Sequence, residues 1–246
     1  VYIWDMDETL ILLRSLLNGT YAESFNGSKD VKRGLEIGKK WEDHILQICD
    51  DFFFYEQVEE CNEPFLDSLR QYDDGKDLSG YDFKQDDFDD LNKRRLAYRH
   101  RAAAHKYEKG LRPLIDSETM SVLDELYNVT DEYTDGWLSS ARAFLEQQDV
   151  HILVTSGALI PSLVKCLLFR LDTFLVYSSI DVGKLQCFKW IKERFPKFRF
   201  CAIGDGWEEC AAAQAMQWPF VKIDLQPHRF PGITPKTVSY YFAAVY

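Results

Sequence analysis

Four β-prone apolar residues, Val1-Tyr2-Ile3-Trp4, run directly into two acids one residue apart, Asp5 and Asp7. So short an apolar run reads as a buried strand, which puts both acids where the strand ends. Ligands of open α/β sheets bind beyond the carboxyl ends of the strands. Side chains at i and i+2 of an extended segment point the same way, so both carboxylates can face one crevice. Carboxylates held together cost free energy unless a cation or a proton lies between them. The pair therefore calls for a hard metal ion, an acid/base couple, or both. Taken alone it also fits a solvated turn, where Asp is common.

From residue 150 onward, strand and helix alternate. His151-Ile152-Leu153-Val154 reads as a strand ending at Thr155-Ser156-Gly157. A helix over 160–170 follows, then a strand over 174–177 and a helix over 184–195. A strand over 198–203 ends at Gly204-Asp205-Gly206. A helix over 208–216, a strand over 220–223 and a helix over 238–245 complete the series. This alternation predicts an α/β fold, a doubly wound parallel sheet that also takes in the first strand. Residues 18–149 then form an insertion straight after that strand. Within it, residues 18–34 are polar and Gly-rich and are expected to be loop. Trp41, Ile45, Ile48, Phe52 and Tyr55 recur at helical spacing, which predicts an amphipathic helix. Asn62-Glu63-Pro64 stops it and opens a short helix to Arg70. Ser117-Glu118-Thr119 is expected to cap a helix bearing Val122, Leu123 and Leu126. Tyr133, Trp137, Ala141 and Phe144 predict one more. The insert is therefore expected to be almost entirely helical.

The net charge of −11 repels nucleic acid and anionic membranes, so no direct nucleic-acid contact is expected. No apolar run reaches the roughly 20 residues that cross a bilayer. Residues 72–90 are the most acidic part and include Asp86-Asp87 and Asp89-Asp90. They lack EF-hand spacing, so a solvated loop is expected. The basic helical stretch 91–109, with Lys93-Arg94-Arg95 and Arg99-His100-Arg101, is expected to neutralise that loop and in part to reach an anionic substrate. His100 and His105 show no metal-ligand spacing and are expected at the surface or as caps. The six cysteines form no CxxC pair and read as buried thiols of an intracellular protein. None is followed six residues later by Arg, so the phosphate loop of cysteine-based phosphatases is missing.

Polar chemistry gathers at strand ends and loops: Asp5 with Asp7, Thr155 with Ser156, Lys184, and Asp205 with Glu209. Together these suit phosphoryl transfer. A phosphate dianion is repelled by bare carboxylates, and Mg²⁺ held by Asp5 and Asp205 would cancel that repulsion. Asp5 can attack phosphorus and form an aspartyl-phosphate. Asp7 can protonate the leaving oxygen and later deprotonate a water, its anionic neighbours favouring the proton. Lys184 and the Thr155 hydroxyl, with Ser156 beside it, can hold the phosphoryl oxygens. Glu209 lies four residues after Asp205, on the same side of a helix start, and suits orienting metal-bound water.

These residues resemble the four motifs of the haloacid dehalogenase superfamily. More closely, Trp4-Asp5-Met6-Asp7-Glu8-Thr9-Leu10, Leu153-Val154-Thr155, Leu159-Ile160-Pro161, Gly183-Lys184 and Ile203-Gly204-Asp205-Gly206 with Glu208-Glu209 resemble the Eyes absent family. The likeness covers the first ten residues and everything from 150 on, with Arg94-Arg95-Leu96-Ala97-Tyr98-Arg99 similar in the insert. It implies a haloacid dehalogenase-like catalytic core, residues 1–17 and 150–246, and a helical cap, residues 18–149. It implies a Mg²⁺-dependent protein tyrosine phosphatase with Asp5 as nucleophile and Asp7 as acid/base. Thr155 and Lys184 would bind phosphate; Asp5, Asp205 and the backbone carbonyl of Asp7 would hold the metal. The substrate would be a phosphotyrosine-containing protein, in the nucleus or the cytoplasm. Animal members also pair with a homeodomain transcription-factor partner. Met6, Ser156-Gly157, Trp207 and the acidic insert depart from the animal pattern and point to a plant-type member. The residues themselves leave two alternatives open, a phosphatase of small metabolites and a coactivator-type binding module.

Overall fold

A computed structural model describes residues 1–83, 92–147, 150–171, 174–225, 229, 230 and 232–246. Asp86-Asp87, Asp89-Asp90 and the start of the basic stretch at Leu91 lie outside the described residues. Five strands form one sheet: β1 (Tyr2–Trp4), β2 (His151–Thr155), β3 (Leu175–Ser178), β4 (Cys201–Gly204) and β5 (Phe220–Lys222). Their order is β3-β2-β1-β4-β5 and every pair is parallel. β1 is central, with Trp4 opposite Leu153 on one side and Ile203 on the other. The winding direction reverses at β1, so the crevice between β1 and β4 is the place where such sheets bind ligands.

Parallel strands covered on both faces carry apolar residues on both, and here the faces separate residue by residue. Tyr2, Trp4, Leu153 and Val176 belong to one buried cluster, Ile3, Ile152, Val154 and Tyr177 to another. The second cluster is closed by α9 (Lys184–Arg194) and α10 (Trp207–Met216), through Phe188, Ile191 and Ala213. The first is closed by the helices α1 (Leu13–Leu17), α2 (Thr20–Glu23), α3 (Val31–Phe53), α4 (Tyr55–Val58), α5 (Lys93–Lys109), α6 (Ser117–Tyr133), α7 (Trp137–Leu145), α8 (Leu159–Leu168) and α11 (Pro235–Val245). Among the described residues, no helix is long and apolar enough to cross a membrane.

Several expectations for the insert change. Residues 18–34 are not simply loop: they hold α2, and α3 begins at Val31, ten residues before Trp41. Asp30 caps α3 by accepting from the Arg33 amide, and Gly38 lies on its buried face. A Cβ on Gly38 would stand 2.8 Å from the backbone nitrogen of Leu17. That glycine is there for close packing of α3 on α1; Gly34, the last residue of the stretch read as loop, is also buried on α3, where a Cβ would stand 2.6 Å from the Tyr133 hydroxyl. Tyr133, Trp137, Ala141 and Phe144 do not share one helix, because α6 ends at Tyr133 and α7 starts after a left-handed Gly136 (φ 80°). The cap of α6 is Asp116, which accepts from the Thr119 amide.

The basic helix does meet the acidic stretch. Arg101 pairs with Asp73 at 2.8 Å, and Tyr98 donates to Asp74 at 2.7 Å. His100 is not at the surface: it is buried, and burial lowers its pKa to about 4. All six cysteines are free; Cys49, Cys166, Cys187 and Cys201 are buried, Cys61 is half-buried and Cys210 is exposed.

Candidate functional site

Asp5 follows β1 directly, and its amide still donates to the Ile203 carbonyl at 2.9 Å. The ladder thus carries the chain to the sheet edge and fixes where the carboxylate starts. The chain then turns tightly. Glu8 takes a left-handed φ of 61°, and its amide donates to the Ile11 carbonyl at 2.6 Å. The Glu8 carboxylate accepts from the Ser15 amide at 3.0 Å, and the Trp137 indole donates to the Thr9 carbonyl at 3.2 Å. The turn is therefore clamped from α1 and from α7.

Asp5, Lys184 and Glu209 are all buried. The Lys184 ammonium donates to Asp5 Oδ1 at 2.5 Å and makes a close contact with Glu209 Oε1. Asp205 lies just beyond β4 and Glu209 in the first turn of α10. Carboxylate oxygens of Asp5, Asp205 and Glu209 lie within 4.8 Å of one another. Burial raises the Asp5 carboxyl above its ordinary value, with Lys184 pulling the other way. Burial, reinforced by Asp5, pushes Asp205 up to about 6. Three carboxylates against one ammonium leave the cluster short of positive charge. Glu209 Oε2 is also buried with no hydrogen-bond partner among the described residues, a costly state for a polar atom. An oxygen-only donor set short of about two positive charges fits a hard divalent cation such as Mg²⁺.

Gly206 makes room for this cluster. A Cβ there would stand 2.5 Å from Glu209 Oε2, so the Gly-Asp-Gly turn accommodates the glutamate rather than merely reversing the chain. Thr155 closes β2, buried, with its hydroxyl accepting from the Gly157 amide at 3.1 Å. Thr155 and Ser156 line a cavity of about 760 Å³ together with Asp5, Asp7, Asp205 and Glu209. The sequence-predicted residues thus come to one place, with one qualification. Lys184 is not among the residues lining the cavity; it lies against Asp5 and Glu209.

Sequence reasoning missed Lys165. Its ammonium, on α8, donates to both Asp7 oxygens at 2.8 and 2.9 Å, so the neighbours of Asp7 are not anionic alone. Nothing near Lys165 in sequence announces this, apart from its being a lone lysine among Leu163, Val164, Cys166 and Leu167. Among the described residues of the basic stretch, none in α5 lines the cavity. Of the described insert residues, Asn18 is the one that does, beside Leu13, Arg14 and Leu17 of α1.

No protein-family model matches the chain. It is 82% identical to the Protein phosphatase EYA of Arabidopsis thaliana, over its whole length and 90% of that protein. It is 31% identical to the Protein phosphatase eya of Drosophila melanogaster and to the human Protein phosphatase EYA2, over 91% of the chain in each case. The chain spans 33% and 47% of those two animal proteins. With the acidic cluster at the sheet switch point and a plant relative so near over so much of both chains, the chain belongs to the Eyes absent family, and to its plant-type branch.

Proposed function

We propose that this chain is a Mg²⁺-dependent protein tyrosine phosphatase that works through an aspartyl-phosphate on Asp5. Residues 1–17 and 150–246 would form a haloacid dehalogenase-like core, with residues 18–149 as its helical cap. The observation that carries the reading is the meeting of Asp5, Asp7, Thr155, Ser156, Asp205 and Glu209 around one cavity, with Lys184 against Asp5. The relatives' names, protein phosphatases, support a protein substrate.

Asp5 and Asp205, with the backbone carbonyl of Asp7, would hold the metal, and Glu209 would orient metal-bound water beside them. When bound, Mg²⁺ would neutralise charge between these carboxylates and a dianionic phosphate. The substrate phosphoryl group would rest on the Thr155 hydroxyl and Ser156, with the Lys184 ammonium supplying positive charge beside Asp5. Asp5 would attack phosphorus in line, forming the acyl phosphate as the ester oxygen leaves. Asp7 would give that oxygen its proton, then take a proton from the water that cleaves the acyl phosphate. Lys165, on both Asp7 oxygens, would keep that carboxylate directed at the cavity. Nucleus or cytoplasm as location, and a transcription-factor partner, are carried only by the family resemblance.

The test is hydrolysis of phosphotyrosine, phosphoserine and sugar phosphates, with Mg²⁺ and with excess chelator, by wild type and Asp5→Asn. Metal-dependent turnover of phosphotyrosine that vanishes in the variant is expected. Preference for a sugar phosphate would keep the mechanism and replace the substrate class. Absence of any turnover would favour a binding module.

A further inference from the structure

Among the described residues, Trp207 is the one large apolar side chain that lines the cavity and stands in solvent. It is 77% exposed, while Trp4, Trp41, Trp137 and Trp218 are buried and Trp190 is half-buried. It lines the cavity together with Asp205 and Gly206 before it in the chain and Glu208 and Glu209 after it. Leu13 and Leu17 line the same cavity. Among the described residues its indole pairs with no other aromatic ring. Being the first residue of α10, it sits on a helix anchored in the sheet's second core, so its backbone is fixed while its ring is bare. A single exposed aromatic is ordinary on a protein surface. One held at the mouth of a charged cavity is placed to meet whatever projects from a bound phosphate.

Resting on the phosphatase reading above, we infer that Trp207 is a specificity-determining residue that lays its indole against the aromatic ring of an aryl phosphate monoester. The phosphate would occupy the floor near Asp5 and Thr155, and the ester group would point outward. An aromatic ester gains ring–ring contact with Trp207 and loses exposed apolar surface. Phosphoserine, an aliphatic ester, offers no ring to such a contact. Selection for aromatic esters then lies in the mouth of the cavity, whereas the floor treats all phosphates alike.

The experiment has a kinetic arm and a binding arm. Wild type, Trp207→Ala and Trp207→Phe are compared, with Mg²⁺, on a phosphotyrosine peptide, p-nitrophenyl phosphate and acetyl phosphate. The expected loss of kcat/KM in Trp207→Ala is about tenfold greater on the two aryl substrates than on acetyl phosphate, carried mainly by KM. Trp207→Phe should recover most of it. Equal losses on all three substrates, or none, overturn the inference. The binding arm uses phenylphosphonate and methylphosphonate, which are not hydrolysed, and reads shielding of tryptophan fluorescence from acrylamide. Shielding by the phenyl compound alone, lost in Trp207→Ala, is expected; equal shielding by both overturns the inference. Because this arm needs no turnover, an inactive wild type would sink the phosphatase reading and still decide the role of Trp207.

Discussion

Lys165 and His100 are single side chains whose behaviour is set by the fold and not by their neighbours in sequence. Lys165 grips Asp7 across 158 positions. Its replacement by Met should lower kcat about tenfold or more, because a carboxylate in proton transfer works only when positioned. Lys165→Arg should keep a larger share of activity than Lys165→Met, in steady-state kinetics on p-nitrophenyl phosphate. Equal activity of Lys165→Met and wild type would remove Lys165 from the mechanism. His100 is buried with Nδ1 unpartnered among the described residues. Its pKa falls from the ordinary 6.5 to about 4 in the fold, so the unfolded chain binds the extra proton between those values. The stabilisation is full above pH 6.5 and is lost as pH falls towards 4, by about 3 kcal/mol in total. Urea unfolding at pH 7.5 and pH 5 should therefore show a larger loss for wild type than for His100→Gln. Parallel losses would mean that other groups account for the acid sensitivity.

Among the elements, the helix pair α1–α3 decides how β1 is followed. Gly→Ala inside a helix ordinarily stabilises it by about 1 kcal/mol. At Gly38 the sign should reverse, because the new methyl meets the Leu17 backbone and overpacking costs about 1–3 kcal/mol. A chemical denaturation midpoint for Gly38→Ala at or above that of wild type would refute this. Gly34, buried on the same helix against Tyr133, shows where sequence reasoning succeeds and fails. Strands and the later helices could be read because apolar runs and periodicity are local. α3 was cut short because a packing glycine and a loop glycine look alike until a partner is placed against them. The break between α6 and α7 was hidden because helical spacing continues across Thr134, Asp135 and Gly136. The cluster of acids could be read because strand ends in a parallel sheet share one edge. Lys165 could not, because its role comes from which helix lies beside that edge.

The whole molecule holds three carboxylates around one buried ammonium, a charge balance that a divalent cation would relieve. A ligand that binds only the folded state stabilises it by about 2.7 kcal/mol at one hundred times its Kd. For a chain of this size that is a rise of about 5–10 °C in Tm. Thermal scans in Mg²⁺ against chelator should show it for wild type, and a much smaller rise for Asp205→Asn. An equal rise in both would place the cation elsewhere.

β1 lies between two strands far from it in the chain: Tyr2 pairs with His151 and with Cys201. Translation adds about 5–20 residues per second. Asp5 therefore leaves the ribosome on the order of ten to forty seconds before β4 exists to flank it. During that interval a buried apolar strand and the proposed nucleophile are without their sheet, and such long-range pairing is intrinsically slow. The centre of the sheet is completed only when β4 emerges, with β5 at the edge still to follow. A nascent chain stalled before Cys201 would expose that strand to chaperones and to other strand edges, with no phosphate chemistry yet assembled.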